Sequence, residues 1–155
     1  MIGPALRVAA ASACLGVWEL STCLGVWELS MWVLVVDDSP SSIIFISEAL
    51  RSLGHSVLTC TNGSSALETL QAMEVDAALV DYHMPGMNAA AFIATLRKQT
   101  KSATAATPVV VMTADASPKV ARTALSMGAA AVLHKPLGLN ELVAAIDAVD
   151  PKSQR

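Results

Sequence analysis

The stretch Ala77-Ala78-Leu79-Val80-Asp81-Tyr82-His83-Met84-Pro85-Gly86 sets a short apolar run against a carboxylate and then a Pro-Gly turn. A run this short and this free of polar residues reads as a strand buried on both faces, and the turn residues mark where it stops. The same arrangement recurs along the chain. Trp32-Val33-Leu34-Val35-Val36 ends in Asp37-Asp38, Val109-Val110-Val111-Met112 ends in Thr113, and Ala131-Val132-Leu133 leads through His134 to Lys135-Pro136. A further strand is expected over 56–60, and helix-patterned segments separate all five runs. Strand and helix alternating five times predict a doubly wound α/β fold, a five-stranded parallel sheet with helices on both faces. In such a sheet the strands' carboxyl ends share one edge, where ligands bind. Residues spread from Asp37 to Lys135 are thereby brought to one pocket.

The helices carry recognisable boundaries. Ser39-Pro40 supplies an N-cap and a proline at the first helical position, and Gly54 a stop. Ile43, Ile44, Ile46, Ala49, Leu50 and Leu53 are the expected buried face between them. Ala66, Leu67, Leu70 and Met73 mark a second helix, and Ala91, Phe92, Thr95 and Leu96 a third. The small, polar segment 99–107 reads as a mobile connection. Ser117-Pro118 opens a fourth helix that runs to Met127 before Gly128, and a last one covers about 140–149 before Pro151.

Composition narrows the function classes. With 155 residues, 54% of them hydrophobic and 15% charged, the chain is long enough to bury one substantial core. The net charge of −3, without a Lys/Arg cluster beyond residues 97–101, argues against a nucleic-acid-binding face. Cys14, Cys23 and Cys60 are odd in number and lack metal-ligand spacing with the histidines, so a reducing, cytoplasmic setting is expected.

The N-terminal segment stands apart. Cys14-Leu15-Gly16-Val17-Trp18-Glu19-Leu20-Ser21 recurs unchanged as Cys23-Leu24-Gly25-Val26-Trp27-Glu28-Leu29-Ser30, and Met31 follows at once. Two copies at a nine-residue period are too few and too short for a solenoid. We read them as a tandem duplication within an extension over 1–30, ahead of a natural start at Met31. A domain over 31–150 and a short tail over 151–155 complete the expected organisation. Signal-peptide and membrane-anchor readings fare worse: Ala11-Ser12-Ala13 falls too early for a cleavage site, and Glu19 cuts the apolar run well short of the ~20 residues a spanning helix needs. Whether the segment packs on the domain is left open.

Three carboxylates, a hydroxyl and an ammonium in one pocket suit a divalent cation and a phosphoryl group. A carboxylate beside a cation can attack phosphorus and hold the group as an acyl phosphate. Asp81 is the expected acceptor and Lys135 the counter-charge, while Thr113 donates its hydroxyl to a phosphoryl oxygen. Magnesium prefers oxygen ligands and keeps much of its water shell, so Asp37 and Asp38 can serve it, one directly and one through water. Taken singly these residues are unremarkable, since an Asp at a strand end is usually a turn or cap residue. Their joint placement at four strand ends carries the argument.

Val35-Val36-Asp37-Asp38-Ser39, Val80-Asp81-Tyr82-His83-Met84-Pro85-Gly86-Met87, Met112-Thr113-Ala114 and His134-Lys135-Pro136 together resemble the receiver domain of two-component response regulators. The resemblance spans 31–149. It implies the flavodoxin-like strand order 2-1-3-4-5. It also implies phosphoryl transfer to Asp81 from a phosphohistidine on a sensor histidine kinase or histidine phosphotransfer protein. Mg²⁺ would be held by Asp37, Asp38, Asp81 and the His83 backbone carbonyl, and the Lys135-Pro136 bond would be cis. Two positions depart from the family pattern: Val132 stands where an aromatic switch residue is common, and Ala89 where glycine is usual. His83 and Asp115, each two residues past a site residue, are the expected tuning positions, with Asp115 pointing to solvent.

The implied output is a signalling switch, not an enzyme acting on a separate substrate. Its docking face is expected on the fourth helix, fifth strand and fifth helix, around Lys119, Arg122, His134 and Asn140. Neither membrane nor nucleic acid is an expected partner. One alternative is a pseudo-receiver that binds partners without phosphorylation, against which the intact site residues argue. The other, a metal-dependent phosphatase with an aspartyl nucleophile, requires carboxylates two apart on the first strand. Asp37-Asp38-Ser39 lacks that spacing.

Overall fold

The computed structural model describes residues 30–100 and 102–151. The expected extension over 1–30 and tail over 151–155 lie, apart from Ser30 and Pro151, outside the described residues. The described elements are β1 (Trp32–Val36), α1 (Pro40–Ser52), β2 (Ser56–Cys60), α2 (Gly63–Ala72), β3 (Ala77–Asp81), α3 (Ala89–Arg97), α4 (Ser102–Ala105), β4 (Val109–Thr113), α5 (Pro118–Ser126), β5 (Ala131–His134) and α6 (Leu139–Val149). The strands form one parallel sheet in the order β2-β1-β3-β4-β5.

Alternation along each strand decides which face a side chain joins. Leu34, Val36, Ala78, Val80, Val109 and Val111 pack with Leu67 and Leu70 of α2, Phe92 and Leu96 of α3, and Ala124 of α5. Val33, Val35, Ala77, Leu79, Val110 and Met112 pack on the other face with Ile46 and Leu50 of α1 and Leu142 and Ile146 of α6. The central strands β3 and β4 are buried throughout, whereas the edge strands β2 and β5 are mostly half-buried. Each fully buried Leu or Phe contributes roughly 1.5–3 kcal/mol relative to an exposed one.

Several local expectations change. Ser39 caps α1 through its backbone conformation only, its hydroxyl lying 3.0 Å from that of Ser41. Ile44 and Leu53 are exposed by 58% and 40%. Ile44 sits two residues from buried Ile46, about 200° around a helix turning 100° per residue, so both cannot face the sheet. In α3 the buried set is Ala89, Phe92, Ile93 and Leu96; Ala91 is exposed and Thr95 half-buried. Within the expected connection over 99–107, the described residues 102–107 are not loose. They contain α4, Thr104 donates its hydroxyl to the Leu70 carbonyl at 3.2 Å, and Arg97 Nη1 donates to the carbonyls of Ala105 (2.7 Å) and Thr107 (2.8 Å). Gly54 and Gly128 close α1 and α5 with φ of 88° and 103°, where a side chain would be strained.

Candidate functional site

Sheet register assembles the site. Val36, the last residue of β1, lies beside Val80, so Asp37 and Asp81 emerge from neighbouring strands at one edge. Asp81 lies opposite Met112, which places Thr113 one step further along β4. Backbone bonds continue the sheet past its strand ends: Asp37 N–H donates to Cys60 at 3.2 Å, Tyr82 N–H to Met112 at 2.7 Å, and Lys135 N–H to Thr113 at 2.8 Å. The Lys135-Pro136 bond is cis.

Oxygens of Asp37, Asp38 and Asp81 all lie within 4.8 Å of one another. Asp37 and Thr113 are fully buried, Asp81 is 7% exposed, and Asp38 opens to solvent. Lys135 Nζ stands 2.6 Å from Asp37 Oδ2 and 3.4 Å from Asp81 Oδ1. The ammonium therefore sits closer to Asp37 than to the expected acceptor. Ser39 N–H donates to the other Asp37 oxygen at 2.8 Å, so both its carboxylate oxygens are engaged. Sequence reasoning used Ser39 only as a cap; the Asp-Asp-Ser-Pro run does carry the signal, since an Asp side chain commonly accepts from the N–H two residues on.

Electrostatics follow from this crowding. Burial pushes the Asp81 carboxyl above its ordinary value, and the charges of Asp37 and Asp38 add to the rise, while Lys135 opposes it. For Lys135, burial works downward, but its hydrogen bond to Asp37 and the charges of Asp81 and Asp37 outweigh it, so the ammonium is held above its usual range. Three carboxylates balanced by one ammonium leave excess negative charge among hard oxygen donors, and a small divalent cation fits that donor set.

The tuning positions fall at the rim. His83 is exposed, its ring edge-on to Tyr82 with centroids 5.0 Å apart. Asp115 is exposed as expected, its carboxylate accepting from Ser117 N–H at 2.8 Å, while its own N–H donates to Thr113 Oγ1 at 3.0 Å. That second bond was not legible in the sequence. Val132 is half-buried against the core on the α2, α3 and α5 side. Lys119, Arg122, His134 and Asn140 are all exposed. No helix among the described residues is long and apolar enough to cross a membrane.

Comparison with known proteins agrees with this geometry. The family model of the response regulator receiver domain matches residues 33–147. The sensory/regulatory protein RpfC of Xanthomonas campestris pv. campestris is 39% identical over 108 residues, covering 69% of this chain and 15% of that protein. The DNA-binding transcriptional regulator NtrC of Escherichia coli is 39% identical over 118 residues, 74% of this chain and 24% of its own length. The chain thus spans a quarter or less of these relatives. Among solved structures, the chemotaxis response regulator CheY4 of Vibrio cholerae is 31% identical with a TM-score of 0.70, covering 76% of this chain and 97% of its own. The receiver domain of a Pseudomonas aeruginosa sensor histidine kinase, which carries a magnesium ion coordinated in its active site cleft, is 26% identical with a TM-score of 0.70, over 77% of this chain and 98% of its own. The acidic cluster, the lysine and threonine at neighbouring strand ends and the matched family model agree: this chain belongs to the response regulator receiver domain family of two-component signalling.

Proposed function

We propose that Asp81 accepts a phosphoryl group from a phosphohistidine on a sensor histidine kinase or phosphotransfer protein, in a Mg²⁺-dependent reaction. The observation that carries the reading is the convergence of Asp37, Asp38 and Asp81 with Lys135 3.4 Å from Asp81. Mg²⁺ held by these three carboxylates and the His83 backbone carbonyl would offset charge on the phosphoryl oxygens. An Asp81 oxygen attacks phosphorus, the P–N bond breaks with its electron pair left on the imidazole nitrogen, and an acyl phosphate forms. Lys135 balances the added charge and Thr113 donates its hydroxyl to a phosphoryl oxygen. Water later attacks phosphorus, the bond to Asp81 breaks, and inorganic phosphate leaves. His83 and Asp115 at the rim tune access for that water.

The domain we assign covers 31–150, works in the cytoplasm as a signalling switch, and presents α5, β5 and α6 to a protein partner. An added charge of about −1.5 to −2 is enough to bias a two-state element beside the pocket. The test is acetyl phosphate with Mg²⁺, followed by intact mass. A single phosphoryl adduct is expected on the wild type and none on Asp81→Asn. No adduct on the wild type, or an unchanged one on Asp81→Asn, refutes the assignment and leaves a binding module without phosphorylation.

A further inference from the structure

Beside the outer strand β2 lies a cleft that phosphoryl transfer leaves unused. Ile44, Ser47, Glu48 and Arg51, spaced i, i+3, i+4 and i+7, form one stripe of α1, and with Thr59 of β2 they line a cleft of about 260 Å³. Ser47 is 3% exposed, yet its hydroxyl has no hydrogen-bond partner among the described residues. A buried hydroxyl left unpaired is unfavourable and marks a place where a polar group is missing. Glu48 and Arg51 are exposed, and neither has an ion-pair partner among the described residues. We propose that this cleft and the β2 edge form a two-fold interface with a second copy of this chain, the partner's Arg51 filling the cleft.

The edge of β2 is equipped for pairing. Ser56 N–H donates to Met31 and the Cys60 carbonyl accepts from Asp37, so Ser56, Leu58 and Cys60 turn their backbone groups toward β1. Val57 and Thr59 alternate with them and turn theirs outward. The strand reads Ser-Val-Leu-Thr-Cys in unbroken register, without the charge, proline or bulge that natural sheets use to block an edge. A two-fold axis at Leu58 sets Val57 of one copy antiparallel to Thr59 of the other, and each such pair exchanges both N–H···O bonds.

The same axis makes the charges complementary. Thr59 shares the cleft with Ser47 and Arg51, so Leu58 lies level with that turn of α1. Glu48 and Arg51 stand about 4.5 Å apart along the helix. The two-fold turns α1 end for end, so each Glu48 faces the partner's Arg51. That guanidinium has donors enough for both the Glu48 carboxylate and the Ser47 oxygen. A pair of opposite, unpaired charges beside an open edge is what a self-complementary interface requires, and this favours a second copy over an unrelated peptide as the occupant.

Analytical ultracentrifugation of the full chain from about 10 μM to about 1 mM, with amide hydrogen exchange, tests this. The wild type should dimerise, and the Val57 and Thr59 amides should exchange more slowly as concentration rises. The Ser56 amide, already bonded to Met31, should not change. Glu48→Arg and Arg51→Glu should each raise the dimer Kd about tenfold or more, and combining them should restore it, because opposite charges then face each other again. Both positions are exposed, so the variants should keep the wild-type circular dichroism and thermal midpoint. Monomer at every concentration overturns the proposal. So does a dimer indifferent to both reversals, which places association on another face, and so does a double variant no better than the singles.

Discussion

Replacing Lys135 with methionine removes the site's ammonium while keeping most of its aliphatic volume. Its nitrogen lies 2.6 Å from Asp37 Oδ2 and 3.4 Å from Asp81 Oδ1, and the Asp37 side chain has no solvent exposure. At an effective dielectric of ~20, those separations correspond to gross attractions of about 6 and about 5 kcal/mol. Most of that offsets the desolvation of the charges. What the substitution exposes is the cost of leaving a buried carboxylate without its cation, on the order of 3–5 kcal/mol for fully buried pairs. The lysine side chain is 19% exposed and Ser39 N–H still serves Asp37, so about 3 kcal/mol is expected here. Urea unfolding in EDTA, followed by circular dichroism, measures it. Adding Mg²⁺ should recover much of the loss, because a cation in the acidic cluster replaces the missing charge. With the competing ammonium gone, Mg²⁺ affinity should rise by about tenfold, or 1.4 kcal/mol. A loss below about 1 kcal/mol, combined with an unchanged Mg²⁺ response, would refute this account of how Lys135 and the cation share the carboxylates.

Arg97 donates to three carbonyls, those of Ala105, Thr107 and Gly128, from a partly desolvated position that pulls its guanidinium below its ordinary value. Arg97→Ala should cost about 2–3 kcal/mol in urea unfolding and speed hydrogen exchange around α4, since each charged hydrogen bond contributes roughly 1.5–3 kcal/mol before screening. His55 Nδ1 accepts from Met31 N–H at 3.2 Å, and burial holds its imidazole below 6.5 despite the charges of Asp150, Asp147 and Asp76. The folded state therefore binds this proton less readily than the unfolded state does. Its contribution is fully present above pH 6.5 and declines as the pH falls below that value. Urea midpoints should fall more steeply for the wild type than for His55→Gln between pH 7.5 and pH 5.5; parallel profiles would show that His55 carries no such linkage.

The sheet and its ligand edge were legible in the chain alone, because strands buried on both faces read as unbroken apolar runs. Ala77 to Val80 and Val109 to Met112 can hardly be anything else, and the polar residue ending each run marks the edge. Helix faces were less legible. Ile44, Phe45 and Leu53 are as apolar as Ile46, and only the direction in which the helix meets the sheet leaves them exposed. The same holds for 102–107, where Arg97 donates to the Ala105 and Thr107 carbonyls and Thr104 to the distant Leu70 carbonyl.

Which residues meet at the site was thus written in the sequence, since a parallel sheet gathers strand ends whatever lies between them. How they meet was decided by tertiary structure. Strand register and the loop after β5 put the Lys135 ammonium nearer Asp37 than Asp81, and burial set the rise of the Asp81 carboxyl. Periodicity records which face a side chain joins, but whether an ammonium stands 2.6 Å or 3.4 Å from a carboxylate depends on the packing of all the elements that hold them.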